Sequence, residues 1–217
     1  MRFDTPTGPL EVTLSAAHVA GWTGRDRAAV DHHIAELAEI GVPPPSDVPL
    51  YYRVARDLLT QAEEVQVLGP DTSGEVEPLI LRVDGALWLG LASDHTDRAL
   101  EAVSVAASKQ ICAKPVGRGL WPLAEVESHL DQLRLTCDIE EGGDWVRYQE
   151  GTLASIRPLP ELIAGAGLGE GAAMLCGTLA AKGGVRPAAR YRMSLIDPVR
   201  DRALSLAYAV TTLPVVA

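Results

Sequence analysis

From residue 64 onward the chain consists mainly of short strand-like segments that follow one another without long helices between them. Within these segments β-branched and other apolar residues recur, and turn-forming residues separate one segment from the next. Strands that neighbour one another along the chain favour an α+β fold over a doubly wound sheet, in which strands and helices alternate. The predicted strands are residues 65–68, 76–83, 87–91, 134–139, 146–149, 174–178, 191–196 and 204–213.

The N-terminal part of the chain carries the clearest helix signal. Residues 9–22 alternate as one or two short strands, and residues 48–54 as another. Between them, Asp26 can cap a helix that ends near Ile40, because apolar residues recur there at spacings of three and four. Pro43-Pro44-Pro45 then enforces an extended connection. Shorter helices are predicted at residues 97–108, 123–131 and 158–166.

Length and composition predict one globular domain over residues 1–217. Apolar residues make up 47% of the chain and charged residues 22%, which is ordinary for a protein with a packed core. We divide the domain into N-terminal strands at residues 1–22, a helix with its proline linker at 23–45, and a β-rich core at 46–217.

The charge of the chain bears on its partners. The formal net charge is -10 and no cluster of lysine and arginine residues stands out, so nucleic acid is not an expected partner. An acidic protein also repels anionic substrates at long range. A local cation in the binding site would therefore help if the substrate is an acid.

The three cysteines argue against a secreted protein. Cys112, Cys137 and Cys176 are odd in number and lack metal-ligand spacing, so neither a disulfide framework nor a zinc site is indicated. The N-terminal residues do not resemble a signal peptide, and no apolar stretch reaches membrane-spanning length. The sequence predicts a cytoplasmic protein with no membrane partner.

The pair Glu75-x-Glu77 is the strongest candidate for a metal site. In a strand, side chains at i and i+2 share one face, so the two carboxylates would lie side by side. Asp94 can add a third carboxylate, giving an all-oxygen set suited to magnesium, manganese or calcium. The alternative is the solvated face of an edge strand, where such pairs are common.

His33 and Glu36 are candidates for a general base. On the predicted helix they are neighbours at i and i+3, and a carboxylate raises the basicity of an imidazole beside it. His32, four residues before Glu36, is an equally good partner. The alternative is an exposed helix face that carries all of these polar residues.

Lys109, Gln149 and Thr178 are uninformative one by one, because polar residues near the ends of helices and strands are common. Their order along the chain is more specific. The ordered segments are Gly24-Arg25-Asp26, His33-x-x-Glu36, Tyr52-Arg53-Val54, Glu75-x-Glu77, Ser93-Asp94-His95-Thr96-Asp97-Arg98, Lys109, Gln149-Glu150-Gly151-Thr152 and Gly177-Thr178.

In this order the segments resemble the fumarylacetoacetate hydrolase superfamily, from about residue 20 to residue 200. Within it the chain looks closest to a prokaryotic branch known as a domain of unknown function. The resemblance implies a mixed β-roll or β-sandwich of the catalytic-domain type, with the N-terminal helix acting as a lid. It also implies Mg²⁺ or Mn²⁺, with Ca²⁺ as a further option, bound by Glu75, Glu77 and Asp94.

The resemblance further implies roles for individual residues. The His33/Glu36 pair would be the base, with His32 and His95 as the next candidates, and Lys109 and Gln149 would donate to developing oxyanion charge. The residues expected to bind substrate are Arg25, Arg53, Arg98 and Thr178.

The activity implied is that of a metal-dependent hydrolase or lyase on a small 2-oxo or dicarbonyl carboxylic acid, by carbon–carbon cleavage or decarboxylation. An isomerase or dehydratase, an amide or ring-opening hydrolase, and a non-catalytic ligand-binding homologue are the alternatives. A homodimer is the expected assembly. The apolar run at residues 204–217 could form its interface or could equally be an internal strand.

Two positions depart from the pattern of the superfamily. Ser93 stands where asparagine is usual, and Arg53 stands where the extended segment has lysine. The interval from Glu77 to Asp94 is also shorter, and the helix before His33 carries extra residues. Arginine can still bind a carboxylate, and bidentately, but with a different geometry from lysine.

Overall fold

The computed structural model describes residues 1–39 and 44–216. Its strands are β1 (Arg2–Thr5), β2 (Gly8–Glu11), β3 (Ala16–Gly21), β4 (Leu50–Val54), β5 (Leu59–Thr60), β6 (Glu64–Leu68), β7 (Thr72–Ser73), β8 (Val76–Val83), β9 (Ala86–Ser93), β10 (Thr96–Asp97), β11 (Lys114–Pro115), β12 (Trp121–Pro122), β13 (Arg134–Glu141), β14 (Asp144–Thr152), β15 (Ala172–Leu175), β16 (Arg190–Asp197) and β17 (Arg202–Leu213). Its α-helices are α1 (Arg27–Glu39), α2 (Arg98–Glu101), α3 (Val105–Gln110), α4 (Leu123–Val126) and α5 (Leu159–Ala166). Short 3₁₀ helices lie at Arg56–Leu58, Glu127–Gln132 and Leu153–Ser155.

Two sheets carry most of these strands. One has six strands in the order β12-β9-β8-β15-β3-β4, and the other has five in the order β14-β13-β16-β17-β6. Three two-stranded pairs, β1-β2, β5-β11 and β7-β10, complete the strand pairing of the described residues. The fold is thus α+β and mostly sheet, as the sequence predicts.

The central strands of the six-stranded sheet, β8 and β15, are buried on both faces. Ile80 packs into the cluster that also holds Leu135 and Leu195 of the five-stranded sheet, whereas its neighbours Leu79 and Leu81 pack into a second cluster on the opposite face. Alternate residues of a strand point to opposite faces, so a strand covered on both sides must be apolar throughout. This explains the unbroken apolar run that follows Glu77.

The structure divides the helix predicted at residues 97–108 into α2 and α3. Asp97 Oδ1 accepts from the Leu100 amide at 2.8 Å and begins the first helix, and Ser104 Oγ accepts from the Ala107 amide at 3.2 Å and begins the second. A single helix was therefore the wrong prediction. Ser104 favours a helix start because its hydroxyl can satisfy an otherwise unpaired amide.

The first helix begins where the sequence predicts. Asp26 Oδ1 accepts hydrogen bonds from the Ala28 and Ala29 amides at 3.0 and 3.2 Å, and α1 follows. The predicted helix end at Ile40 and the first proline of the linker lie outside the described residues. The role of this helix as a lid stays a prediction.

The C-terminal apolar run is an internal strand along most of its length. β17 pairs with β16 on one side and with β6 on the other, and Leu204, Leu206 and Tyr208 are buried. Of the two interpretations of this run, the structure favours the strand, because these alternate side chains face the core rather than a partner.

The three cysteines are buried and unpaired, which agrees with the absence of a predicted disulfide framework.

Within residues 1–39 and 44–216, no helix combines the length and the apolar character needed to cross a membrane.

Candidate metal centre and the cavity around it

Antiparallel pairing of β8 with β9 brings the three predicted metal ligands together. In this register Val76 lies opposite Ser93, and the Asp94 amide donates to the Glu75 carbonyl at 3.0 Å. Glu75 and Asp94 therefore face each other at the end of the ladder, with Glu77 two residues along the same face. Ligand oxygens of Glu75, Glu77 and Asp94, hereafter the carboxylate cluster, lie within 4.8 Å of one another.

Burial makes the carboxylate cluster suited to a cation. Glu77 is 2% exposed and Asp94 is fully buried. Burial raises the pKa of Glu77 well above its ordinary value, and the negative charge of Asp94 raises it further. The backbone amide of Gly177 donates to Glu77 Oε2 at 2.7 Å but does not cancel this repulsion. A hard divalent cation that prefers oxygen ligands would cancel the repulsion between the carboxylates, so the donor set fits magnesium.

Two buried lysines contact Asp94. Lys109 Nζ forms an ion pair with Asp94 Oδ2, and Lys114 Nζ lies 3.1 Å from Asp94 Oδ1 while donating to the His95 carbonyl at 2.5 Å. Burial would raise the pKa of Asp94, but the two ammonium groups together hold it below its ordinary value. Asp94 is therefore ionised, as a metal ligand must be.

Sequence reasoning missed Lys114. The available signal was the alternation of Cys112, Lys114 and Val116, which are all buried in the structure. A lysine between two inward-facing apolar residues at i-2 and i+2 is expected to point inward as well. Such a lysine requires a buried partner, and Asp94 supplies one.

Arg98 is held between two acidic side chains. Its guanidinium lies 3.3 Å from Glu75 Oε1 and 2.8 Å from Glu101 Oε2, and its Nε donates to Ser73 Oγ at 2.7 Å. It lines the cavity described below, as a substrate-binding residue would. Its position beside Glu75 also fixes one member of the carboxylate cluster.

Gln149 and Thr178 tie neighbouring backbone segments together. Gln149 Oε1 accepts from the Val76 amide at 2.9 Å, while Nε2 donates to Thr178 Oγ1 at 2.8 Å and to the Leu179 carbonyl at 2.6 Å. Thr178 Oγ1 donates in turn to the Val76 carbonyl at 2.7 Å. Both amide hydrogens of Gln149 are thus engaged, and the residue positions Val76 between the two glutamates.

His95 is built into the protein as a neutral imidazole. Nδ1 lies 3.0 Å from the Tyr208 hydroxyl and Nε2 lies 2.9 Å from Thr72 Oγ1. Burial, followed by the charges of Lys114 and Arg98, lowers the pKa of His95 to about 3. These contacts fit a positioning role better than that of a base.

A cavity of about 760 Å³ adjoins the carboxylate cluster. Residues 20–26, the first turn of α1, the α2–α3 segment and the loop after β15 contribute to its wall. The predicted site residues along it are Arg25, Glu75, Glu77, Arg98, Lys109 and Thr178. Concave sites with a few convergent polar groups are the usual form of small-molecule sites.

Arg53 does not belong to the described lining of the cavity, so its assignment to substrate is not supported by its position. Neighbouring residues of a strand point to opposite faces, and on β4 it is Tyr52 that lines the cavity. The Lys109 ammonium lies 5.8 Å from the centre of the Tyr52 ring. Arg53 is exposed and pairs across the strands with His18.

Arg25 reaches the cavity but is engaged elsewhere. Its Nη1 and Nη2 atoms each lie 2.7 Å from a carboxylate oxygen of Asp131, and its Nε donates to the Ile156 carbonyl at 2.8 Å. This bidentate pair uses the fork geometry that would otherwise grip a substrate carboxylate.

The candidate base lies on α1, which borders the cavity through Ala29 and Val30. The side chains of His33 and Glu36 lie outside the described part of the structure, so their distances to the carboxylate cluster stay untested. His32 is exposed on the same helix.

Two residues of the cavity wall have unusual backbone conformations, and of these only Gly177 lies in a segment of the superfamily pattern. Trp22 has a φ of 60°, which is uncommon for a bulky residue and often accompanies a functional site. Its Nε1 donates to the Tyr52 hydroxyl at 3.2 Å. Gly177 has a φ of 99°, and a Cβ there would lie 1.7 Å from Thr23 Oγ1. Only glycine allows the chain to place its amide on Glu77 here.

A family model described as Protein of unknown function (DUF2848) matches residues 20–208. Comparison with curated proteins finds no match. Among solved structures, 2-keto-3-deoxy-D-arabinonate dehydratase complexed with magnesium and 2,5-dioxopentanoate is 14% identical, with a TM-score of 0.64 over 96% of this chain and 76% of that chain.

Two further structures are similar. Cg1458 is 12% identical, with a TM-score of 0.62 over 93% of this chain and 77% of that chain. A putative uncharacterized protein from Mycobacterium abscessus is 16% identical, with a TM-score of 0.62 over 96% and 84%. At these identities the likeness shows only that this chain shares its fold with these structures.

Magnesium should stabilise the protein through the carboxylate cluster. At a magnesium concentration of 100 times Kd, binding to the folded state alone adds about 2.7 kcal/mol, or roughly 5–10 °C in Tm for a chain of this size. Differential scanning calorimetry with and without magnesium measures this shift.

Glu77→Gln should lose the magnesium response and keep the fold, because glutamine can still accept from the Gly177 amide while removing one buried negative charge. The exposed Glu63→Gln is the matched control and should respond as the unchanged protein does. An equal Tm shift in Glu77→Gln would place the cation elsewhere.

Without metal, the contribution of His95 to stability should fall as the pH drops from about 6.5 towards 3, whereas the raised pKa of Glu77 acts in the opposite direction. The pKa of His95 is lowered from 6.5 to about 3 in the fold, so below its ordinary pKa the unfolded chain binds a proton that the folded chain does not. Urea unfolding at several pH values in the presence of a chelator measures this trend. Lowering the pH should cost His95→Gln less stability than it costs the unchanged protein, and an equal change in both would contradict the assignment.

Proposed function

This chain belongs to the family described as Protein of unknown function (DUF2848), and we propose that it is a divalent-cation-dependent enzyme acting on a small 2-oxo carboxylic acid. The observation that carries the proposal is the buried carboxylate cluster, which adjoins a cavity and has Lys109 at its edge. A structural ion-pair network would not need a cavity beside it.

Comparison with a solved structure supports the choice of ligand class. A dehydratase of the same fold is described as complexed with magnesium and 2,5-dioxopentanoate, which is a 2-oxo acid. We therefore propose Mg²⁺ as the cofactor, with Mn²⁺ as a substitute. Ca²⁺ also prefers oxygen ligands, but it usually takes six to eight of them.

The residues of the chain would divide the work as follows. Glu75, Glu77 and Asp94 would hold the cation, which when bound would supply Lewis-acid polarisation of the substrate carbonyl. Lys109 remains at the cavity edge as a donor to negative charge that develops on substrate oxygen. Arg98 would add positive charge beside the substrate carboxylate.

The His33/Glu36 pair would take the proton from water. The resulting hydroxide would add to one carbonyl of a dicarbonyl acid, and the adjacent carbon–carbon bond would break. Its electron pair would be held as the enolate of the second carbonyl, which then takes the proton from the His33/Glu36 pair. The closed state of α1 would exclude bulk water during this step, which is the usual benefit of a lid. Gln149 and Thr178 would act by holding the strand end that carries Glu75 and Glu77.

Hydrolysis or lysis of a carbon–carbon bond, including decarboxylation, is the reaction class that we favour. Dehydration is the second candidate, and the observation that favours it is the fold shared with a dehydratase. A non-catalytic ligand-binding protein would be supported if the carboxylate cluster bound magnesium and a 2-oxo acid without turning any acid over.

The experiment that tests the proposal is turnover of a panel of 2-oxo acids with and without magnesium, followed by mass spectrometry of the products. Activity should require magnesium and should be lost in Glu77→Gln. Cleavage, decarboxylation and dehydration differ in product mass, so the same experiment identifies the reaction. Turnover that persists in a chelator would contradict a metal-dependent mechanism.

His33→Ala or Glu36→Gln should lower kcat by about two to four powers of ten, the range for loss of a general base. Both residues lie on a surface helix, so Tm should change little. His32→Ala is the matched control one residue away. If His32→Ala loses activity and His33→Ala retains it, the base is His32.

We also propose a homodimer. The observation that supports it is an apolar patch formed by Leu68, Leu213, Val215 and Val216, which are exposed near the ends of β6 and β17. Light scattering at micromolar concentration should return about twice the chain mass of 23.1 kDa. A monomeric mass would contradict it.

The cytoplasmic location stays a prediction from the sequence.

A further inference from the structure

We propose that the substrate is a monocarboxylic 2-oxo acid whose far end is uncharged and aliphatic. This inference rests on the proposed function and adds the part of the substrate that points away from the cation. Its basis is the aliphatic wall of the cavity, which comprises Val30, Ala102, Val105, Ala180 and Val185.

The aliphatic wall begins one helical turn from the charged groups. Val105 precedes Lys109 by four residues, on the same face of α3, and both line the cavity. Ala102, at the end of α2, follows Arg98 by four residues, and both line the cavity. A substrate whose carboxylate lies near Lys109 and Arg98 would therefore extend its far end along aliphatic side chains.

In the described cavity lining, every cationic side chain is already paired with an acidic residue. None is therefore left to pair with a second substrate carboxylate. Arg25 is paired with Asp131, Arg98 with Glu75 and Glu101, and Lys109 with Asp94. A second carboxylate beside the aliphatic wall would lose part of its hydration without gaining an ion pair, which is unfavourable. The lining thus disfavours dicarboxylic acids.

The charge balance of the site leads to the same result. Among the ion-paired groups around the carboxylate cluster, the acidic members are Glu75, Glu77, Asp94 and Glu101, and the basic members are Lys109, Lys114 and Arg98. Asp26 and Arg25 also line the cavity but are exposed, so water screens their charges and they are left out of the sum. Four negative and three positive charges give -1, and a divalent cation changes this to +1. One substrate carboxylate then neutralises the site, whereas two would leave it negative.

The cavity is large enough for such a chain. Its volume of about 760 Å³ lies in the range of sites that bury ligands well beyond the size of pyruvate. An aliphatic extension would displace water from the aliphatic wall, and each buried methylene contributes about 0.8 kcal/mol, or roughly fourfold in affinity.

The test compares acids that differ only at the far end, using the magnesium-loaded protein. Pyruvate, 2-oxobutanoate and 2-oxohexanoate form a series of increasing length, and 2-oxoadipate is the six-carbon acid with a second carboxylate. Isothermal titration gives Kd for acids that do not react, and KM serves for those that do. Affinity should rise several-fold per methylene, and 2-oxoadipate should bind at least tenfold more weakly than 2-oxohexanoate.

A variant of the aliphatic wall sharpens the comparison. Ala102→Lys places a cation in the wall and should reverse the preference in favour of 2-oxoadipate. Ala106→Lys adds the same charge at an exposed position of α3 that is not part of the cavity lining, and it should leave the preference unchanged. An equal change in both variants would contradict a role for the wall.

The outcomes distinguish this inference from the proposed function. Magnesium-dependent binding that does not increase with chain length, or that is tighter for 2-oxoadipate, would overturn the inference and leave the proposed function intact. If none of these 2-oxo acids binds in a magnesium-dependent way, the proposed function fails, and the inference fails with it.

Discussion

The close approach of Glu75, Glu77 and Asp94 in a buried site is the interaction on which the rest of this structure depends. Antiparallel pairing of two apolar strands places the carboxylates, and burial deprives them of the water that would screen their repulsion. The fold therefore needs positive charge at the same place. Lys109 and Lys114 supply part of it, and a divalent cation would supply the remainder.

The side chains next to the carboxylate cluster make its geometry rigid. The side-chain amide of Gln149 accepts a hydrogen bond from the Val76 amide and donates to the loop after β15. The backbone amide of Gly177 donates to Glu77. On the other side, His95 is fixed by two hydroxyl groups and presents its carbonyl to Lys114. Ligands held by such contacts pre-organise a metal site, because little conformational entropy is lost when the ion binds.

The carboxylate cluster could be predicted from the sequence because both of its spacings are local. Two glutamates at i and i+2 share a face of any strand, and a hairpin returns Asp94 to the same edge. Two other features could not be predicted in this way: the face of β4 on which Arg53 lies, and the side chain that pairs with Lys114. Both depend on contacts between segments that are far apart in the sequence. The break between α2 and α3 depends on Ser104, whose capping tendency competes with a helix pattern that spans it.

The helical segment from Arg98 to Lys109 contributes residues both to the proposed cation site and to the part of the cavity that would contact the far end of the substrate. Arg98 and Lys109 contact the carboxylate cluster, whereas Ala102 and Val105, one turn after and before them, belong to the aliphatic wall of the same cavity. The charged residues are fixed by buried ion pairs, and changing them would leave a carboxylate uncompensated. The aliphatic residues carry no charge, so a change in their size leaves no carboxylate uncompensated. The far end of the proposed substrate could therefore change without any change in the residues that would hold the cation.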